Sequence, residues 1–251
     1  MIGILLWREP QAGRRQRQIA LAERSILHMR FLVAEVARGP WTPEAALRRR
    51  AAAAAKRMRK RGVTRVVLPE GFAYTAQMEK QGVRPVSTLA LRRRLAADWV
   101  RELLARRGIS PGGARVAVAA EQMSGELVQT VTELALRHRY ILLDVPYGGG
   151  EFCRQLRREY GVSLLLKPDR AQLEEADALV LFDPRMDLRP GGGGVLQLYG
   201  EASPLPPLSL PLAMEEQLPE GADWGQLLAA LLEAGAVRPG QVTVKASQVH
   251  A

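Results

Sequence analysis

From residue 114 to residue 185 the chain alternates short, wholly apolar runs with longer amphipathic ones. Arg115 to Ala120, Tyr140 to Val145, Val162 to Lys167 and Ala178 to Phe182 are the apolar runs, and each predicts a strand buried on both faces. Gly125 to His138, Glu151 to Tyr160 and Ala171 to Ala176 lie between them with apolar residues at helical spacing and predict helices. Such alternation predicts an α/β fold with a parallel sheet and right-handed crossovers. Beyond it, Arg189 to Gly194 reads as a Gly-rich turn and Val195 to Tyr199 as an edge strand. The four prolines of Ser203 to Leu212 exclude a regular helix. A last helix over Trp224 to Ala234 precedes a short strand near Val242 to Val244.

The first half is patterned less regularly. Ile2 to Trp7 predicts a strand, followed by a loop over Arg8 to Gly13. In Arg14 to Arg38 the residues Ile19, Ala22, Ile26, Met29 and Val33 recur at three- and four-residue spacing, which predicts a helix. Its β-prone end, Phe31 to Val36, fits a strand equally well. Thr42 as N-cap, Pro43 in the first turn and the acid Glu44 open a helix that runs to about Arg61 and stops at Gly62. Val63 to Leu68 predicts a buried strand, and Phe72 to Lys80 a short helix closed by Gly82. A helix capped by Ser87 or Thr88 then runs to Arg107, with Leu91, Leu95, Trp99 and Leu103 on one stripe, and suits a connector between domains.

Charge sharpens that division. The 251 residues carry a net charge of +10. Residues 1–113 hold 24 lysines and arginines against 8 acids, and residues 114–251 hold 12 against 18. The break at Pro111-Gly112-Gly113 therefore predicts a basic N-terminal α/β subdomain over 1–110 and a second domain with a C-terminal extension over 111–251. The single cysteine, Cys153, excludes an internal disulfide and a Cys-rich zinc site. No apolar run is long enough to span a membrane, and the apolar start lacks the basic flank of a signal peptide. A cytoplasmic location is the expectation. His28, His138 and His250 fit no metal-binding spacing.

Residues 114 to 185 resemble the NAD(P)-binding domain of the Rossmann dehydrogenases, in the arrangement of the shikimate dehydrogenase-like family. The resemblance rests on the order of elements over less than a third of the chain. It implies a Rossmann-like parallel sheet preceded by a smaller subdomain, with NAD or another nucleotide as ligand. Such domains run their first strand into GxGxxG, whose glycines let backbone approach the pyrophosphate at a helix N-terminus. Here Ala120, Gln122 and Gly125 stand at those positions, so only the third glycine, the one that serves helix–strand packing, survives. Asp144 ends the second strand where the family has an acid for the ribose hydroxyls, or else bonds a nearby turn. Ser124 and the free amides of the following helix can hold a phosphate, although Glu121 beside them repels anions. Gly148 and Gly149 open a second glycine-rich loop before the helix carrying Cys153, which reads as a small buried hydrophobe in preference to a nucleophile. Lys167 and Asp183 end the third and fourth strands at the ligand-carrying edge, or form turns there.

In the basic half, Arg48 to Arg50 and Lys56 to Arg61 flank five alanines in one helix, and Arg92 to Arg94 form a second cluster. Arg57, Arg59 and Lys60 are the candidates for contact with nucleic acid or an acidic protein; a solvated helix face is the alternative. The residues thus describe a Rossmann-like protein that is either a degenerate or atypical nucleotide binder or a non-catalytic scaffold. Binding of nucleic acid or an acidic partner through the basic helices, and NAD(P)-dependent oxidoreduction, are the alternatives. For the last of these no general acid or base can be named.

Overall fold

The computed structural model describes residues 1–9, 18–189, 191–201 and 204–245. Parts of the expected loop over 8–13, the expected helix start at 14–17, Pro190 of the Gly-rich turn, Ser203 and His250 lie outside them. The chain divides into two compact units: residues 1–88 with 210–242, and residues 89–209 with the chain from Thr243. The division falls ahead of the Pro111-Gly112-Gly113 break.

The first unit opens on β1 (Ile2–Arg8), β2 (Ile19–Ile26) and β3 (Met29–Ala37). Within the described part of 14–38 the helix gives way to a hairpin, in which β2 pairs antiparallel with β3 from Ile19↔Val36 to Ile26↔Met29. The alternative strand reading of Phe31 to Val36 holds within β3. The hairpin's two-residue turn, Leu27-His28, has both φ angles positive, at 47° and 67°. That geometry matches the twist of the flanking strands but ordinarily calls for Asn-Gly, so the sequence carried no turn signal. Burial decides the outcome. Phe31, Leu32, Val33 and Ala34 are all almost fully buried, as a central strand between β1 and β2 requires.

α1 (Glu44–Lys60) follows, then β4 (Arg65–Val67), α2 (Thr75–Glu79) and β5 (Arg84–Pro85). Thr42 does not cap α1. Its Oγ1 accepts from the Gly39 amide at 2.9 Å and closes the preceding turn, while Pro43 holds the N-cap position. The strand order is β2-β3-β1-β4-β5, parallel except for β2. α1 buries Leu47, Ala51, Ala54, Ala55 and Met58 against one face of this sheet. Gly3 permits the close approach: a Cβ there would lie 2.9 Å from Val63 Cγ1 and 3.2 Å from Met58 Cε.

The second unit begins with α3 (Leu89–Arg94) and α4 (Ala96–Arg106). The single helix expected over this stretch is broken at Leu95, although the bonds Leu95 N to Leu91 O and Trp99 N to Leu95 O persist across the joint. It is not a free connector either, because Ala96, Ala97, Val100 and Leu104 enter the core of this unit. Then come β6 (Arg115–Ala119), α5 (Gly125–Ala135), β7 (Tyr140–Asp144), α6 (Gly149–Tyr160), β8 (Leu165–Leu166), α7 (Arg170–Glu174), β9 (Ala178–Leu181) and β10 (Gly194–Gln197). All five strands are parallel in the order β10-β9-β6-β7-β8. Numbered within the unit, that is 3-2-1-4-5 from β8 to β10, the Rossmann order without its sixth strand. α4, α5 and α6 cover one face around Val116, Val118, Leu143 and Val180. The other face, with Ala117, Leu142, Leu179 and Leu181, is covered by Leu173 of α7 and by Leu188.

β11 (Leu208–Ser209) closes the continuous part of this unit. α8 (Leu212–Glu215) and α9 (Trp224–Glu233) return to the first, and β12 (Thr243–Val244) pairs antiparallel with β11. α9 buries Leu227, Leu228 and Leu231. It is tied to the first sheet by the Leu68 amide on Gln226 Oε1 at 2.9 Å, the Asp223 amide on the Leu68 carbonyl at 2.8 Å, and an Arg65–Glu233 ion pair at 2.6 Å. Among the described residues no helix is long and apolar enough to cross a membrane.

Candidate functional site

In an open parallel sheet, ligands bind outside the carboxyl ends of the strands where the order reverses. For the second unit this is the edge formed by the ends of β6, β7 and β9. Its loops are the 120–124 turn into α5, the 145–148 turn into α6, and the 182–189 segment after β9.

Asp144 sits at this edge and is already engaged. Its Oδ2 accepts from Arg185 Nη1 at 2.5 Å, with both side chains about one quarter exposed. Arg185 also grips Asp187 in a fork, Nε to Oδ1 at 2.8 Å and Nη2 to Oδ2 at 2.9 Å. The guanidinium's hydrogen bonds to Asp187 and then Asp144 raise its pKa above the usual arginine range. The same fork holds the Asp187 carboxyl down to about 2. A ribose hydroxyl at Asp144 would therefore have to share it with a fixed cation.

The 120–124 turn is closed by protein groups. The Glu121 amide donates to Asp183 Oδ2 at 2.7 Å, and the Ala120 amide to the Asp144 carbonyl at 3.0 Å. A backbone N–H that would meet a pyrophosphate thus meets a carboxylate, with the exposed Glu121 side chain beside it. Ser124 is the N-cap of α5, its Oγ accepting from the Leu127 amide at 3.1 Å. Gln122 is exposed. Gly125 does not serve helix–strand packing as its place in the motif implied: a Cβ there would meet nothing within 4 Å.

The second glycine loop packs against the first. Gly148 is left-handed at φ 81°, and a Cβ on it would stand 2.8 Å from Met123 Cγ. Gly149 is buried, with its would-be Cβ 3.0 Å from Val145 Cγ1. These glycines admit the side chain of Met123 and the strand end, so the close approach they permit is used within the protein. Gln122, Ser124, Gly125, Asp144, Gly148 and Gly149 are all brought to one edge.

Two arginines at this edge were not legible in the sequence. Arg185 is one; its DPRMD context after β9 holds an acid two residues on, which is the only local signal. Arg93 is the other. Its Nε donates to the Leu198 carbonyl at 2.9 Å, its Nη1 pairs with Glu126 at 2.5 Å, and its guanidinium lies 5.6 Å from the Phe182 ring centre. The cluster Arg92 to Arg94 makes contacts within the unit. Arg92 is buried and reaches the Glu201 carbonyl, and Arg94 bonds Gln129 Oε1.

Lys167 is exposed and left-handed at φ 50°, a strained conformation for a non-glycine residue at the end of β8. Cys153 is half-buried against the core, its Sγ 3.9 Å from the Leu164 carbonyl. His138 is 4% exposed, with Nδ1 3.3 Å from the Pro111 carbonyl and no partner for Nε2. Burial lowers its pKa. Among the described residues no group of His, Cys, Asp and Glu could hold a metal ion.

Of the three basic candidates of α1, Arg59 lies across the helix from Arg57. Arg57 turns toward β2, its Nη1 donating to the Ile19 carbonyl at 3.2 Å. Arg59 lies over Gly82, with Nε 3.4 Å from that residue's would-be Cβ. Lys60 is exposed.

No family model and no curated protein matches the chain. Among solved structures, a dipicolinate synthase from Bacillus halodurans matches at 16% identity over 70% of this chain and 67% of its own, with a TM-score of 0.36. L-tryptophan dehydrogenase from Nostoc punctiforme matches at 11% identity over 60% of this chain, TM-score 0.29, and shikimate 5-dehydrogenase from Listeria monocytogenes at 10% over 60%, TM-score 0.27. The match spans less than half the length of the Nostoc enzyme, at 44%, and 58% of the Listeria enzyme. By the strand order and crossovers of its second unit, the chain is an α/β protein with a Rossmann-like fold.

Proposed function

We propose that the second unit is a degenerate Rossmann module that does not hold a dinucleotide through its β6–α5 turn and serves as a non-catalytic scaffold. The observation that carries this reading is the Glu121 amide bonded to the Asp183 carboxylate. The Asp183 carboxylate and the exposed Glu121 side chain then stand at the turn beside the α5 N-terminus, and both repel an incoming pyrophosphate. The engagement of Asp144 by Arg185 and the seating of Met123 on Gly148 support it independently. No pair of groups at this edge is arranged as nucleophile with base or as acid with base.

The test is calorimetric titration of NAD, NADP and ADP-ribose into the full chain and into a Glu121→Gln/Asp183→Asn variant. The expected result for the parent is no saturable binding at the β6–α5 turn below about 1 mM, an interaction weaker than about 4 kcal/mol, so that any tighter binding seen is unaltered in the variant. Removing the two charges strengthens any residual ADP-ribose binding about tenfold, as loss of nearby like charges in a half-exposed site requires. Saturable micromolar binding of NAD or NADP to the parent that weakens in the Glu121→Gln/Asp183→Asn variant overturns the reading.

A further inference from the structure

A second site stands on the first unit, remote in sequence from the turns just described. An open groove of about 900 Å³ runs along α1 beside the start of β2. Ala46, Arg49, Arg50, Ala53 and Arg57 line it from the helix and Ile19 from the strand. The helical residues recur at three- and four-residue spacing, so they form one stripe adjoining the buried stripe of Leu47, Ala51, Ala54 and Met58. The alanines leave the floor low and the arginines build the sides. Two guanidiniums are pinned by a single N–H each: Arg50 Nη1 on the Ala37 carbonyl at 2.6 Å and Arg57 Nη1 on the Ile19 carbonyl at 3.2 Å. An arginine has five N–H donors, so pinning by one fixes the fork and leaves most of it for a ligand. Arg49 adds a third, exposed charge. Neighbouring arginines of the unit have carboxylate partners, Arg48 with Glu44 and Arg24 with Glu35. Among the described residues Arg49, Arg50 and Arg57 form no ion pair.

We infer that this groove binds an oligophosphate, either free or carried by a small molecule such as a nucleoside di- or triphosphate. Held guanidiniums match phosphate oxygens bidentately, and the volume lies in the range of small-molecule sites. A merely solvated helix face, its arginines bonded to the carbonyls of β2 and β3, would show no saturable stoichiometric binding.

The experiment is titration of tripolyphosphate, ADP and adenosine into the full chain at low and moderate salt, repeated with Arg49→Gln and Ala53→Glu. Arg49 is exposed, so Arg49→Gln should melt with the parent; Ala53 is half-buried against the core, so thermal melts confirm that Ala53→Glu is folded before its binding is read. Tripolyphosphate and ADP should bind one to one, weakening with salt, and adenosine should not bind. Arg49→Gln should weaken both about fivefold and Ala53→Glu more than tenfold, because the latter puts a carboxylate on the groove floor. Binding of ADP without tripolyphosphate, or of both with affinities unchanged in the variants, overturns the inference. So does a single-stranded oligonucleotide whose binding depends on Arg49 but is not displaced by tripolyphosphate. ADP binding that weakens with Glu121→Gln/Asp183→Asn and not with Ala53→Glu also refutes the groove, and refutes the reading of the second unit with it.

Discussion

Replacing Gly148 by alanine tests whether the two turns at the ligand edge close on each other. Gly148 has φ 81°, and an added Cβ would stand 2.8 Å from Met123 Cγ. Holding an L-residue in the left-handed region costs about 1 kcal/mol. The overlap is softened because methionine is flexible, and repacking it costs about 1 kcal/mol more. The sum of about 2 kcal/mol corresponds to a fall of roughly 4–8 °C in Tm for a chain of this size. Circular dichroism melts of four proteins separate the two parts: parent, Gly148→Ala, Met123→Ala and the double variant. In the Met123→Ala background the overlap is gone, so Gly148→Ala should cost only the backbone part, a coupling of about 1 kcal/mol. An unchanged Tm for Gly148→Ala refutes the left-handed cap. A full cost in the absence of Met123 refutes the contact between the turns.

Two further outcomes follow from the same unit. Ser124→Ala removes the Oγ acceptor of the Leu127 amide and should cost about 1 kcal/mol in urea unfolding, whereas Ser124→Asp should cost little; equal losses would mean that Ser124 is not a cap. His138 is kept neutral in the folded chain chiefly by burial, with Arg137 adding to the effect and the Pro111 carbonyl opposing it. Its folded pKa lies below the ordinary 6.5, so the unfolded chain takes up the proton first. The stability it contributes is present above pH 6.5 and lost as pH falls through the lowered value. A His138→Asn variant should show a flatter decline in urea midpoint over that acid limb; identical slopes would refute the buried neutral imidazole.

The middle of the second unit was legible because β6, β7 and β9 are largely buried on both faces and form continuous apolar runs, whereas the strand expected over 162–167 is only Leu165–Leu166 at the open edge. The hairpin of the first unit was not legible. Its edge strand β2 is largely exposed, so Ile19 and Ile26 can be mistaken for a helical stripe, and Leu27-His28 is a turn without turn residues. β5, only two residues long, leaves no periodicity at all. α9 was visible as a helix, but nothing local says that it belongs with strands some 160 residues earlier, since that assignment rests on pairs such as Leu68 with Gln226.

The site was legible in position more than in chemistry. Strand ends located Asp144, Ser124 and Asp183, but their partners come from other turns. Asp144 is held by Arg185 and the Glu121 amide by Asp183, pairs whose spacing of 41 and 62 residues no motif encodes. Likewise helical spacing alone groups Arg49, Arg50 and Arg57. Arg57, Arg59 and Lys60 stand out by a local run of charge, of which Arg59 lies across the helix from Arg57.

The occupied turn is tested most directly by amide spectra of the isotopically labelled full chain during addition of NAD. The Glu121, Gln122 and Leu127 resonances should stay in place to millimolar NAD, and Asp183→Ala alone should shift Glu121 strongly as its acceptor is lost. Saturable movement of those three amides on adding NAD to the parent, with Glu121 insensitive to Asp183→Ala, would contradict the closed turn.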